Sequence, residues 1–182
     1  MKNKKIIILV ITVILIILIC GILISKKNKK EYTEYTPQEE LSKEQERNTI
    51  ISLYFKNKQT NELMPEARII DSKQLLNNPY MVIINLLIQG PKNDKLEITI
   101  PEGTKVKSAS LNGNILYIDF SEEFITNCKG GIEEESKIIY SLVNSLTELN
   151  EVSYIRILIE GEENKAFTDN AIGFRENFAR ND

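Results

Sequence analysis

The sequence predicts an α+β domain, a two-layer sandwich of a small β-sheet and two main helices, preceded by one N-terminal transmembrane helix. Three observations predict it. Residues 6–25 form a run of twenty without a charge, about 30 Å long as a helix, which matches a bilayer core. Two later segments carry apolar residues at helical spacing between clear start and stop signals. Around them lie β-branched and aromatic runs, two of them joined at Asn112-Gly113, a strong short hairpin signal.

The elements follow in order. Residues 1–5 are a short N-terminal stub. The apolar run of residues 6–25 is longer than the core of a cleavable signal peptide, and no small-residue cleavage site follows it. Cys20 stands before Gly21 as in a lipobox, but Ile19 is not small and the apolar run continues past it, so an uncleaved signal anchor is expected. Lys2, Lys4 and Lys5 flank one side and Lys26, Lys27, Lys29 and Lys30 the other, so charge does not set the orientation. Residues 26–48 are polar and read as a tether.

The folded part is expected over residues 49–161. It opens with a strand in "TIISLYFKN", then "LMPEARIIDS", where Pro65 is expected to break regular structure ahead of a short strand near Arg68 to Asp71. In "NNPYMVIINLLIQGP", Asn78 caps a helix, Pro79 suits its first position, Gly90 its end, and Pro91 forbids continuation. Tyr80, Ile84, Leu87 and Ile88 share one face, with Met81 and Ile83 beside them. "LEITIPEGTKVKSASLNGNILYIDFS" reads as strands, the last setting Leu116, Ile118 and Phe120 on one face and Ile115, Tyr117 and Asp119 on the other. After "KGG" a second helix places Glu133, Glu134 and Glu135 in its first turn, where the helix dipole favours acids. Its stripe is Ile138, Leu142, Leu146 and Leu149 with Ile139 and Val143. A strand from Tyr154 to Ile159 closes the domain, most strands being expected to join as hairpins. Residues 162–182 are expected to add one short strand and a frayed C-terminal extension.

Composition narrows the function classes. The 182-residue chain has no His and no Trp. The usual general base near neutral pH, the Ser-His and Cys-His pairings and the commonest metal ligand are therefore absent. Cys128 reads as a small half-buried residue, and no zinc spacing exists. Residues 31–182 hold all 26 acids and 16 of the 23 Lys and Arg, the other seven lying in the first thirty residues, so this part carries −10. Nucleic acid and anionic headgroups would be repelled.

Asp119, Glu122 and Glu123 are the one carboxylate cluster that invites a catalytic reading, as a peptidoglycan-directed hydrolase using Asp119 with Glu122 or Glu123. A glycosidase needs two carboxylates facing across the bond, one with its pKa raised by burial. The strand and a short turn capped by Ser121 account for all three acids without chemistry, and acids elsewhere fall in runs read as solvated. A small-ligand or cation-binding module is the other alternative. Arg68 in "PEAR" would clamp an acidic partner or pair with Glu66. No catalytic, cofactor-binding or metal-ligating residue is assigned, and no cofactor is expected.

The ordered set "LYFKNKQTNELMPEARII", "NPYMVIINLLIQGP", "TIPEGTKVKSASLNGNILYIDFSEEF" and "IIYSLVNSLTELNEVSYIRILIEG" resembles the GerMN domain, the sporulation and spore germination domain. The likeness covers about residues 49–161. It rests on P-E-x-R, L-L-x-G-P, I-P-x-G-T, G-x-x-x-x-D-F-S and S-L-T-E before I-E-G. The resemblance implies a small domain similar to the ring-building modules of envelope-spanning assemblies, with no enzymatic activity. It implies the cell membrane as location, with residues 1–5 inside and the C-terminal domain outside, in the space between mother cell and forespore. It also implies partners among envelope or sporulation-complex proteins, with self-association as a homo-oligomer. Asp119, Phe120 and Ser121 become landmarks of the fold. Many members are lipoproteins, a pattern from which Cys20 departs, and this chain has a single copy of the domain.

Overall fold

The computed structural model describes residues 47–168 and 172–180, together with Leu15 and Ile19. The chain divides into two compact units, residues 1–40 and 41–182. In the first, the described Leu15 and Ile19 are helical and exposed. Apart from Leu15 and Ile19, the anchor expected over residues 6–25 lies outside the described residues, as does almost all of the tether expected over residues 26–48. No described helix is long and apolar enough to cross a membrane.

The second unit is α+β, but its described strands form two three-stranded sheets in place of the one small sheet expected. Strand β1 (Asn48–Asn57) pairs antiparallel with β2 (Leu63–Asp71). In the turn between them the Asn57 side chain accepts from the Gln59 and Thr60 N–H groups, and Asn61 takes a positive φ of 61°, which Asn tolerates. Pro65 does not break β2, contrary to expectation; the strand runs through it, opposite Tyr54. The reason is position: β2 is an edge strand, and Pro65 lacks only an N–H that would point away from β1.

Helix α1 (Pro79–Gln89) starts and stops as expected. The Asn78 side chain accepts from the Met81 N–H at 3.0 Å, and Gly90, at φ +87°, donates its N–H to the Leu86 and Leu87 carbonyls. Ile83, Ile84 and Leu87 are buried, with Tyr80, Met81 and Ile88 packed beside them. The extended stretch expected after it regularises only as β3 (Leu96–Glu97), which pairs with β1.

Strands β4 (Val106–Asn112) and β5 (Ile115–Phe120) form the predicted hairpin, with its loop one residue later than expected. Asn112 pairs with Ile115, so Gly113 and Asn114 make the turn. Gly113 has φ +63° and Asn114 is not in the positive region, the pattern of a turn that wants Gly first. The one-turn helix α2 (Glu123–Thr126) and helix α3 (Gly131–Leu146) then lead to β6 (Tyr154–Ile159). This last strand lies parallel to β5, so the second sheet is completed by a helical crossover and not by a hairpin.

Helix α1 contacts β4, β1 and α3, while α3 contacts β1. The core between them holds Leu53, Phe55, Leu116, Ile118 and Phe120, the α3 stripe of Ile138, Ile139, Leu142, Val143 and Leu146, and Ile155, Ile157 and Ile159. The C-terminal extension is not frayed over its described residues. Phe167 and Phe174 are buried in that core. Their rings stand 5.1 Å apart, edge to face, and Phe124 links Phe167 at 5.6 Å to Phe120 at 4.4 Å. A backbone bridge from Phe178 to Ile155 holds the extension down, and one from Gly173 to Ala166 folds it on itself.

Phe174→Ala is therefore expected to lower stability by about 3–5 kcal/mol, comparable with about 2–5 kcal/mol for Leu146→Ala in the centre of the core. Urea unfolding of both variants measures it. An unchanged midpoint in Phe174→Ala would place the extension outside the cooperative unit.

Candidate functional site

The three clustered acids do not converge. Asp119 is the penultimate residue of β5, on the outer face of its sheet, where its Oδ1 accepts from the Gly161 N–H at 2.9 Å and so pins the turn after β6. Glu122 and Glu123 begin α2. Hydrogen bonding from Ser121 holds the Glu123 carboxyl below its ordinary range, and its own backbone N–H adds to this. Ser121 is not the side-chain cap expected for that turn: its hydroxyl accepts from the Lys105 N–H at 3.0 Å and latches the loop before β4. Nearby, Lys107 pairs with Glu160 and depresses the Glu160 carboxyl. The carboxylates shifted here are thus held ionised by donors, the opposite of what a proton-donating glycosidase acid requires.

Asp119 also borders an open depression of about 340 Å³ on the outer face of β4, β5 and β6, lined by Ser108, Ser110, Asn112, Tyr117 and Leu158. No group of three described His, Cys, Asp or Glu residues is placed to hold a metal. Cys128 is half-buried against the core.

One acid departs from the expected solvated runs. Glu135 is only 2% exposed and accepts from the Ile172 N–H at 3.1 Å, tying α3 to the C-terminal extension. Its signal was present in the sequence, since positions 135, 138, 139 and 142 share one helical face.

Arg68 resolves to its intramolecular alternative. It is 5% exposed, pairs with Glu66, and donates to the Gly90 carbonyl at 3.3 Å. Glu66 in turn accepts from the backbone N–H groups of Lys92 at 2.9 Å and Asn93 at 2.8 Å. Burial alone would push the Glu66 carboxyl up, but Arg68 and these two N–H groups outweigh it and hold it below 4.5. The P-E-x-R motif is a clasp that fixes the chain leaving α1 against β2.

A second constellation was not read from the sequence. Ser141 and Ser145 lie one turn apart on α3 and are buried. The Ser141 hydroxyl donates to the Tyr54 carbonyl at 2.6 Å, and Ser145 accepts from the Tyr54 N–H at 2.9 Å. Thr99 donates to Ser141 at 2.7 Å, and Ser145 donates to the Ser141 carbonyl at 2.7 Å. Two small hydroxyls in the apolar stripe of α3 were the available signal.

Two of the exposed apolar groups share the outer face of β1 and β2, others such as Ile98, Ile132 and Tyr154 lying elsewhere. Ile50 and Ile69 stand directly opposite each other, 68% and 66% exposed, with Leu76 exposed after β2. Together they form a small apolar pair on that face of the sheet.

A family model, Germane, described as sporulation and spore germination, matches residues 52–165. No curated protein matches the chain at a significant level. Solved structures that share the fold include the first GerMN domain of the sporulation protein GerM from Bacillus subtilis, 20% identical with a TM-score of 0.62, covering 74% of this chain and 99% of that one. The tandem GerMN domains of the same protein are 19% identical with a TM-score of 0.61, covering 81% of this chain and 50% of that one. A putative lipoprotein from Clostridium perfringens is 23% identical with a TM-score of 0.50, covering 73% and 88%. This chain thus spans half the length of the tandem structure, and at these identities the likeness is one of fold.

Two predictions follow from the clasp and the serines. Glu66→Gln leaves the Arg68 charge buried without its counter-charge and is expected to cost about 3–5 kcal/mol in urea unfolding. Because the native Glu66 pKa lies below 4.5, wild-type stability from the pair is complete above that pH and is lost as pH falls through the native value. The variant should show a shallower acid limb. Ser145→Ala strands the Tyr54 N–H, an expected loss of about 1–3 kcal/mol; a wild-type melting curve would show that water reaches that edge.

Proposed function

The chain belongs to the sporulation and spore germination (GerMN-domain) family, and on that premise we propose that it is a membrane-anchored, extracytoplasmic, non-catalytic docking module. The observation that carries this reading is the family match over residues 52–165, nearly all of the folded part. In it the apolar run of residues 6–25 is an uncleaved anchor, and residues 26–48 set the reach of the domain outside the cell membrane, in the space between mother cell and forespore. Its architecture is that of a two-layer sandwich akin to ring-building modules, and its partners are proteins of an envelope-spanning assembly.

Three features of the folded unit support the reading. The carboxylates at Asp119, Glu123 and Glu160 accept hydrogen bonds that tie turns together or hold them ionised. Arg68, the other candidate for a recognition charge, is spent on the Glu66 clasp. What is left for a partner among the described residues includes the apolar pair Ile50 and Ile69, on a folded part whose residues 47–182 hold 20 acids against 15 Lys and Arg, a net −5 that discourages nucleic acid and favours basic protein surfaces.

The test is crosslinking and affinity capture through a tag placed after Asp182, from sporulating and vegetative cells. Envelope or sporulation-assembly proteins recovered only during sporulation are the expected result. The triple variant Asp119→Asn, Glu122→Gln, Glu123→Gln should capture the same set, and the wild-type chain should clear no peptidoglycan in a zymogram. Clearing by wild type that is lost in Asp119→Asn would replace docking with hydrolysis.

A further inference from the structure

Strand β1 has two edges, and the partners of the second can be followed residue by residue. Tyr54 turns its N–H and C=O away from β2, into the serines of α3. The register with β2 is unbroken from Asn48 to Lys56, so the two-residue period of the strand turns Lys56, Ser52 and Ile50 the same way. Lys56 meets β3 opposite Glu97, and Tyr54 meets the serines. Ser52 and Ile50 have no backbone partner on that edge among the described residues.

These unfinished positions border a groove of about 210 Å³. Its apolar lining is Ile51, Leu75, Ile83 and Leu149, and its polar wall is Ser145 and Glu148. Glu148 is the one acidic side chain lining it, and it is already held by Arg180 at 2.6 Å and by the Tyr54 hydroxyl at 3.2 Å. The opposite edge of the same hairpin is closed to pairing, because Pro65 removes a donor at its centre.

We propose that this groove is a β-augmentation site for an extended segment of a partner protein. The segment pairs with β1 at Ile50 and Ser52 and sets an aliphatic or β-branched side chain between Leu75, Ile83 and Leu149. The alternating donors and acceptors of a strand edge call for an extended backbone and not a helix, whose own groups are already bonded. The ion-paired Glu148 asks for no buried charge, while the net −5 of residues 47–182, 20 acids against 15 Lys and Arg, favours basic flanks. The inference rests on the docking reading above and names its surface.

The test follows backbone amide exchange in the full chain on adding blocked synthetic heptapeptides that alternate Val and Thr between terminal lysines. A matching peptide with a central proline serves as control. Exchange at Ile50 and Ser52 should slow about tenfold or more with the alternating peptides alone, while Ile51 and Leu53, bonded to β2, stay unchanged. Ser52→Pro should abolish the effect, since it removes the pairing N–H as Pro65 does on the other edge. Should that variant fail to fold, Leu75→Arg blocks the apolar floor instead. Protection of Ile50 and Ser52 in the dilute free chain would assign the edge to this chain's own residues 1–46, and protection that grows with chain concentration would assign it to a second copy. Either result, or no response to any peptide, overturns the proposal. If wild type and Ser52→Pro capture the same envelope partners with equal yield, docking stands and only this site falls; if neither captures any, the docking reading fails first.

Discussion

A strand in the middle of a fold must find partners for backbone groups on both of its edges, and the layout of this domain follows from how β1 does so. On one side β2 supplies a full ladder. On the other β3 reaches only as far as Lys56, and α3 takes over at Tyr54 with two serine hydroxyls. A helix seldom serves as the neighbour of a strand edge, because its own backbone groups are satisfied internally. Only side chains short enough to let the backbones approach, and polar enough to bond, make the substitution work. Ser141 and Ser145, four residues apart and buried, meet that requirement, and Ser141 also receives Thr99 from the irregular stretch after β3. One net hydrogen bond contributes about 1 kcal/mol, but a buried group left without one costs more. The contact therefore sets where α3 must lie more strongly than its net stabilisation suggests.

Charge is organised by the same principle of completion. The Arg68 guanidinium is buried, and its position is tolerable because Glu66 faces it and because Glu66 is itself bonded by two backbone N–H groups. Glu135, the other buried acid, bonds the Ile172 N–H of the C-terminal extension. Asp119 likewise ends on the Gly161 N–H. Each of these acids joins segments distant in sequence, which gives an acidic domain a structural use for carboxylates where a cluster would otherwise suggest chemistry.

Much of this was legible before the structure, and the boundary is physical. Asn78, Pro79, Gly90 and Pro91 delimit α1 because caps act within a few residues of one another. The alternation of Leu116, Ile118 and Phe120 placed β5 correctly for the same reason. The turn slipped by one residue because "NGN" offers two adjacent pairs and only the Asn112–Ile115 register chooses between them. Pro65 looked like a breaker because being at a sheet edge is a tertiary property. Glu135 was hidden inside "EEE", although its helical phase with Ile138 and Leu142 put it on the buried face. The extension was underestimated because its two core aromatics, Phe167 and Phe174, lie seven residues apart without a period to announce them. The serines of α3 escaped notice because the partner they serve is about ninety residues away.

The contrast among strand edges in the first sheet carries a further consequence. Natural sheets close exposed edges by proline, charge or a covering element, since an open edge recruits any extended chain it meets. Here β2 is closed by Pro65 and the middle of β1 by serines, two different chemical solutions within one hairpin. Ser52 and Ile50 lie on the same strand, one and two pairing steps from the capped Tyr54, and carry neither solution. Beside them Ile50 and Ile69 are left in water, where a surface free of contacts would favour polar side chains. The extended occupant proposed above would complete the ladder at Ile50 and Ser52, on the side of β1 away from Ile69.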